Sequence, residues 1–265
     1  MSALLEITDL RIEFRLATGT VTAADGVSLA VEAGQTLALV GESGSGKTVT
    51  ALSVLRLNPE PPCVYAGGEV LLDGRDVLRL PEKDLRRIRG NDVAMVFQDP
   101  MTSLNPLKRV GAQVAEVVRK HQGASRAQAG AAAVEALREA GIPDPQRRAG
   151  QYPHQLSGGL RQRVMIAMAL VGRPRVLIAD EPTTALDVTV QARILELLVD
   201  LQRRHGMAIL LITHDLGVVA EVADRVVVLR SGQVVESGEV TEVFERPRED
   251  YTRELLRATP KLERA

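Results

Sequence analysis

The chain has 265 residues, 45% apolar and 25% charged, and a net charge of −1, a globular composition with no bulk attraction to nucleic acid or anionic membranes. Its only cysteine, Cys63, excludes an intrachain disulfide and a cysteine-rich zinc or iron–sulfur site, and fits a reducing compartment. No apolar run approaches the ~18 residues of a membrane span, and Glu6 comes too early for a secretion signal, so a cytosolic chain is expected, held at any membrane by a partner.

In chain order, residues 4–31 read as short strands, with apolar and polar positions alternating over 10–14 and 27–31. Period two indicates half-buried antiparallel strands. Glu32-Ala33-Gly34 turns the chain into the apolar run 36–40, which reads as a buried strand. Then comes Gly41-Glu42-Ser43-Gly44-Ser45-Gly46-Lys47-Thr48, which fits G-x-x-x-x-G-K-[ST], and residues 49–55 are apolar at helical spacing. The motif thus stands between a strand and a helix, as a phosphate-binding loop must. Its glycines let successive N–H groups point at phosphate oxygens, and the helix N-terminus adds partial positive charge. Lys47 supplies charge for the β- and γ-phosphates and Thr48 a hydroxyl for Mg²⁺.

Residues 67–74 continue as strand and tight turn, 80–88 as a short polar helix with Pro81 near its start, and 93–97 as a buried strand ending at Gln98. From about 100 to 153 strand alternation is missing. Helical patterns cover 110–120 and 125–140, and Gly141-Ile142-Pro143-Asp144-Pro145 breaks the second, so this stretch reads as a helical insertion. Strand and helix then alternate: helix 159–171, strand 175–179, helix 188–204, strand 207–213, helix 216–223. A hairpin around Ser231-Gly232 and a pair of short helices over 241–257 follow. Such alternation implies a largely parallel sheet.

Several side chains gather around this frame. The strand before Asp180 and Glu181 ends in paired carboxylates, the expected complement of a phosphate loop. Asp180 can hold Mg²⁺ directly or through water, and Glu181 can polarise an attacking water. Gln98 and His214 each follow a strand, where open α/β sheets bind ligands. From there Gln98 can reach the metal or the water, and His214 the γ-phosphate or Glu181. His121 and His205 sit in polar helical stretches and read as solvated, and His154 is left without a role. Ser157, with Gly158 and Gly159, opens a long helix, where it can cap and the glycines can let a ligand approach. One nucleotide does not need two anion-binding helix ends from one subunit. The economical explanation is a head-to-tail dimer, in which this second site closes over a partner's ATP.

Together these segments resemble the ATP-binding subunit of an ABC transporter over almost the whole chain. Gly41 to Thr48 matches the Walker A motif, Gln98 the Q-loop, Leu156-Ser157-Gly158-Gly159-Leu160 the signature, and Asp180 the end of Walker B. Glu181 matches the catalytic base, Ala185-Leu186-Asp187 the D-loop, and His214 the switch histidine. The text around Gln98 (Phe97 to Pro106), before the signature (Tyr152 to Arg163) and after Glu181 (Pro182 to Ala192) is similar to the dipeptide/oligopeptide/nickel importer subfamily. Leu160 stands where most members carry Gln, a departure this subfamily often tolerates. Phe14 aligns best with the adenine-stacking aromatic, although a plain core role serves it as well.

The resemblance implies an α/β fold: a P-loop NTPase core with a mainly parallel sheet, an N-terminal antiparallel β subdomain and an inserted helical subdomain. The core would comprise 1–98 and 160–265, and the signature-bearing helices 99–159. It implies an ATPase using ATP and Mg²⁺, with Thr48, Gln98 and Asp180 around the metal and Glu181, Gln98 and His214 in catalysis. The nucleotide would lie against Gly41 to Thr48, Phe14 and the partner's Ser157 to Gly159. The implied partners are a second ATPase subunit, transmembrane permease subunits and, indirectly, an extracytoplasmic substrate-binding protein, with no nucleic acid. The implied place is the cytoplasmic face of the cell membrane. Peptide import is the leading reading. Import of nickel or another small solute, and a soluble ABC ATPase without transport, are the alternatives.

Overall fold

The computed structural model describes residues 3–184 and 186–258. In chain order the elements are β1 (Leu5–Leu16), β2 (Gly19–Val31), β3 (Thr36–Val40), α1 (Lys47–Val54), β4 (Cys63–Leu72), β5 (Arg75–Asp76), a 3₁₀ turn Val77–Arg79, α2 (Glu82–Ile88) and β6 (Val93–Val96). Next come α3 (Pro100–Ser103), α4 (Val110–Gln122), α5 (Arg126–Glu139), α6 (Pro145–Ala149), a 3₁₀ turn Pro153–Gln155, α7 (Gly158–Leu170), β7 (Val176–Asp180) and α8 (Val188–His205). The chain closes with β8 (Ala208–Ile212), α9 (Leu216–Val222), β9 (Arg225–Arg230), β10 (Gln233–Glu239), α10 (Val240–Glu245) and α11 (Asp250–Ala258). It packs as two compact units, Met1–Leu85 with Ala208–Ala265, and Arg86–Met207.

The first unit carries the antiparallel sheet, in strand order β2-β1-β4-β5. Where alternation predicts short strands, the structure has two long ones, because a bulge repairs the break in period. Leu5, Ile7, Leu10 and Ile12 all face the core, and the three-residue step from Ile7 to Leu10 is absorbed at Asp9, which takes φ +47°. There the register shifts against both β2 and β4. In the same unit β3 pairs in parallel with β8 on one side and β9 on the other, and β10 folds back antiparallel on β9. Both β3 and β8 are buried at every position, as their unbroken apolar runs require. One face of β3 and β9 is covered by α9, α10 and α11 through Leu216, Val219, Val243 and Tyr251, packed on Ala38, Val40, Val226 and Val228.

The second unit pairs β6 with β7 in parallel and contains the helical stretch α3 to α6. The packing therefore groups both of these strands with residues 99–159. The α5 helix begins at a complete capping box: Ser125 Oγ accepts the Gln128 N–H at 3.3 Å, and Gln128 Oε1 accepts the Ser125 N–H at 3.0 Å. On α4 and α5 the inner stripe is Val110, Val114, Val118, Ala129, Ala133 and Leu137. Its small residues suit a thin, aromatic-poor core. Among the described residues no helix is long and apolar enough to cross a membrane.

Candidate functional site

The glycine-rich loop lies in the first unit, between β3 and α1. Packing as well as flexibility demands two of its glycines, Gly41 and Gly46. A Cβ on Gly41 would stand 2.2 Å from the Leu229 carbonyl oxygen, and one on Gly46 (φ +102°) 2.4 Å from that of Ala23. The loop is thereby pressed against β2 and β9. Lys47 opens α1 and is only 6% exposed. Its Nζ donates to the Gly41 carbonyl at 2.7 Å and the Glu42 carbonyl at 2.8 Å, so the ammonium is held across its own loop. Ser45 Oγ is buried in the same loop without a hydrogen-bond partner, and the first turn of α1 carries no acidic side chain. A buried ammonium, an unsatisfied hydroxyl and a helix N-terminus at one loop form a cradle that fits an anion of phosphate type. Thr48 is exposed at the start of the helix.

The carboxylate pair lies in the second unit. The β7 strand is buried throughout, and Asp180 at its end is 6% exposed. The next residue, Glu181, takes φ +45°, a left-handed conformation that costs a non-glycine residue about 1–3 kcal/mol. A turn holds it, in which the Thr184 N–H donates to the Glu181 carbonyl at 3.2 Å. The Glu181 carboxylate accepts from Gln98 Nε2 and from Thr184 Oγ1, both at Oε2 and both at 2.8 Å. Gln98 and Glu181, 83 positions apart, are thus brought into one hydrogen-bonded group. Sequence reasoning missed Thr184. Its signal was the Glu-Pro-Thr-Thr turn, in which a hydroxyl three residues on returns to the carboxylate. Such a fixed, hydrogen-bonded carboxylate is suited to orienting a water and taking its proton.

His214 is exposed just after β8, where its surroundings are set locally. Thr213 Oγ1 accepts the Asp215 N–H at 3.0 Å, and Asp215 Oδ1 caps α9 through the Gly217 and Val218 N–H groups. Phe14 is half-buried in β1, opposite Val21 and Cys63.

Around the signature the structure changes one expectation. Ser157 stands at the N-cap of α7, yet its side chain makes no capping hydrogen bond. The turn before the helix is held instead by Arg161, whose Nε donates to the Pro153 and Leu156 carbonyls, both at 3.0 Å. The two glycines also differ. A Cβ on Gly159 would lie 2.6 Å from Val190 Cγ1 of α8, whereas one on Gly158 would meet only Leu186 Cδ2 at an ordinary 3.5 Å. Gly159 therefore serves helix packing within this chain, and Gly158 is the more open position. Of the D-loop motif, Ala185 lies outside the described residues, while Asp187 caps α8 by accepting the Val190 N–H at 3.0 Å.

The remaining histidines have local partners. His154 stacks on Tyr152 with ring centroids 5.7 Å apart. His121 is half-buried against Gly90 rather than solvated, and burial, with the Lys120 charge, lowers its pKa. His205 approaches the Glu139 carboxylate at 3.8 Å.

The profile of the family described as ABC transporter matches residues 24–184. The oligopeptide transport ATP-binding protein OppD of Bacillus subtilis is 53% identical, over 99% of this chain and 74% of its own length. The glutathione import ATP-binding protein GsiA of Salmonella typhimurium is 52% identical, over 97% of this chain but 42% of its own length. Among solved structures, the ATP-binding cassette MJ0796, a dimer in a post-hydrolysis state with ADP and Pi, aligns with a TM-score of 0.79 at 30% identity. That alignment covers 89% of this chain and 98% of MJ0796.

Proposed function

The chain belongs to the ABC transporter family, and from that premise we propose that it is the ATP-hydrolysing subunit of an importer of di- and oligopeptides, working with a separate membrane permease. The observation that carries the hydrolytic reading is the Glu181 carboxylate, fixed by Gln98 and Thr184 one residue beyond a buried aspartate. Glu181 takes a proton from water as the water oxygen bonds to the γ-phosphorus and the bond to the β–γ bridging oxygen breaks. Lys47 and N–H groups of the glycine-rich loop hold the phosphates, and His214 contacts the γ-phosphate. Phe14 is the candidate for stacking on adenine.

Thr48, Asp180 and Gln98 offer only oxygen donors toward a metal, since Gln98 uses its N–H on Glu181. That set fits Mg²⁺, which when bound supplies charge that neutralises the phosphates. The dimeric cassette relative supports a second ATPase subunit, whose Ser157, Gly158 and Gly159 would face this chain's ATP. The names of the relatives, oligopeptide and glutathione among them, support peptide-like solutes; in this proposal the chain sits at the cytoplasmic face of the membrane and a binding protein acts on the other side.

The Glu181→Gln variant tests this reading. Phosphate release should fall by roughly 10²–10⁴-fold, as for a lost general base, while ATP binding persists. Light scattering with ATP–Mg²⁺ should show a dimer. Undiminished steady-state hydrolysis would remove Glu181 from the role of base.

A further inference from the structure

The last helix of the first unit reaches the phosphate loop. Tyr251, in the first turn of α11, is 6% exposed, with its ring in the cluster on β3 and β9. The Arg230 guanidinium carbon lies 4.7 Å from the ring centroid. The phenol oxygen accepts the backbone N–H of Glu42 at 3.2 Å, across 209 positions of sequence. That N–H belongs to the same peptide group as the Gly41 carbonyl, the oxygen that accepts Lys47 Nζ at 2.7 Å. One peptide is therefore restrained at both ends, by Tyr251 at its N–H and by the Lys47 ammonium at its carbonyl. It follows a glycine, which resists peptide rotation less than any other residue. If it turned over, its carbonyl would leave the ammonium.

We propose that Tyr251 is a positioning residue of the phosphate loop: its hydroxyl locks the Gly41–Glu42 peptide in the orientation that holds Lys47 ready for the nucleotide's phosphates. The role is separable from the fastening of α11 itself. That helix is fastened by the Glu236 carboxylate, which accepts the Arg248 N–H at 2.8 Å and the Glu249 N–H at 3.2 Å, and by the ring's apolar contacts. The hydroxyl makes the hydrogen bond to the loop, so removing it alone tests the idea. The inference rests on reading the loop as the ATP site.

The experiment is a titration of the full chain with a fluorescent ADP and with ATP–Mg²⁺, for wild type, Tyr251→Phe and Glu236→Gln, with melting temperatures measured in parallel. Tyr251→Phe keeps the packed ring. It should weaken nucleotide binding by about 3- to 10-fold, the effect of one hydrogen bond of ordinary strength, with a melting temperature close to wild type. Glu236→Gln loosens the same helix without touching the loop, so it should lower the melting temperature and leave nucleotide affinity unchanged. Unchanged affinity in Tyr251→Phe would overturn the proposal. So would an equal loss in Glu236→Gln, because loosening of α11 would then suffice. A wild-type chain that binds no nucleotide would remove the ATP-site reading itself, and the proposal with it.

Discussion

Replacing Thr184 with Val should slow ATP turnover about fivefold. Val keeps the shape of Thr and the backbone N–H that closes the turn on the Glu181 carbonyl, so the left-handed conformation of Glu181 is retained. What is lost is a donor on Glu181 Oε2, at 2.8 Å. A hydrogen bond to a charged group is worth about 1.5–3 kcal/mol in a dry site. Thr184 is exposed, so water can replace part of that, leaving about 1 kcal/mol of lost orientation, a factor of about 5 in rate. The assay is phosphate release at saturating ATP–Mg²⁺. Thr184→Ser, which keeps the hydroxyl, should stay near wild type. Thr184→Val placed on Glu181→Gln should add nothing, because the group being oriented has already lost its function. Wild-type turnover in Thr184→Val would refute the claim that the hydroxyl orients the base.

Other outcomes follow from the same geometry. Gly159→Ala should destabilise the chain by about 1–3 kcal/mol through overpacking against Val190; adding Val190→Ala should restore the chemical-denaturation midpoint, and failure to do so would rule out the Val190 contact as the cause. Ser125→Ala should cost about 0.5–2 kcal/mol by breaking the capping box of α5, read as a lower melting temperature at unchanged nucleotide affinity. The pKa of Glu236 feels desolvation pushing it up, but the Arg248 and Glu249 N–H groups outweigh that and hold it below 4.5. Its contribution to stability is thus complete above about pH 5 and is lost as pH falls through the lower folded value. Glu236→Gln should be less stable than wild type at pH 7, and the difference should shrink in acid melts below pH 4.5. For His121, burial disfavours the charged form, so the unfolded chain takes the proton first as pH falls below about 6.5. Stability should decline there, and the decline should be smaller in His121→Gln.

What the chain's order of residues determined by itself is what short-range physics controls. The glycine-rich loop between a buried strand and a helix, the apolar strand ending in Asp180 and Glu181, and the switch from period two to helical spacing after residue 100 were all legible, because each depends on neighbours a few positions away. Even the misread N-terminal strands failed for a local reason. A bulge at Asp9 interrupts the alternation while keeping Leu10 and Ile12 inside. The short helices α3 and α6 show no period because they are too brief to repeat one. They form where Pro100 and Pro145 occupy the first turn, with Asp99 capping α3.

Tertiary structure decided what depends on atoms distant in sequence. It placed Gln98 and Thr184 on one oxygen of Glu181. It set Val190 2.6 Å from where a Cβ on Gly159 would stand. It carried a tyrosine from the final helix to the peptide beside Lys47. Pattern and propensity count what a residue is and how far apart its kind recur. They do not contain the distances across a packed core, and those distances choose which hydroxyl, amide or glycine meets the chemistry.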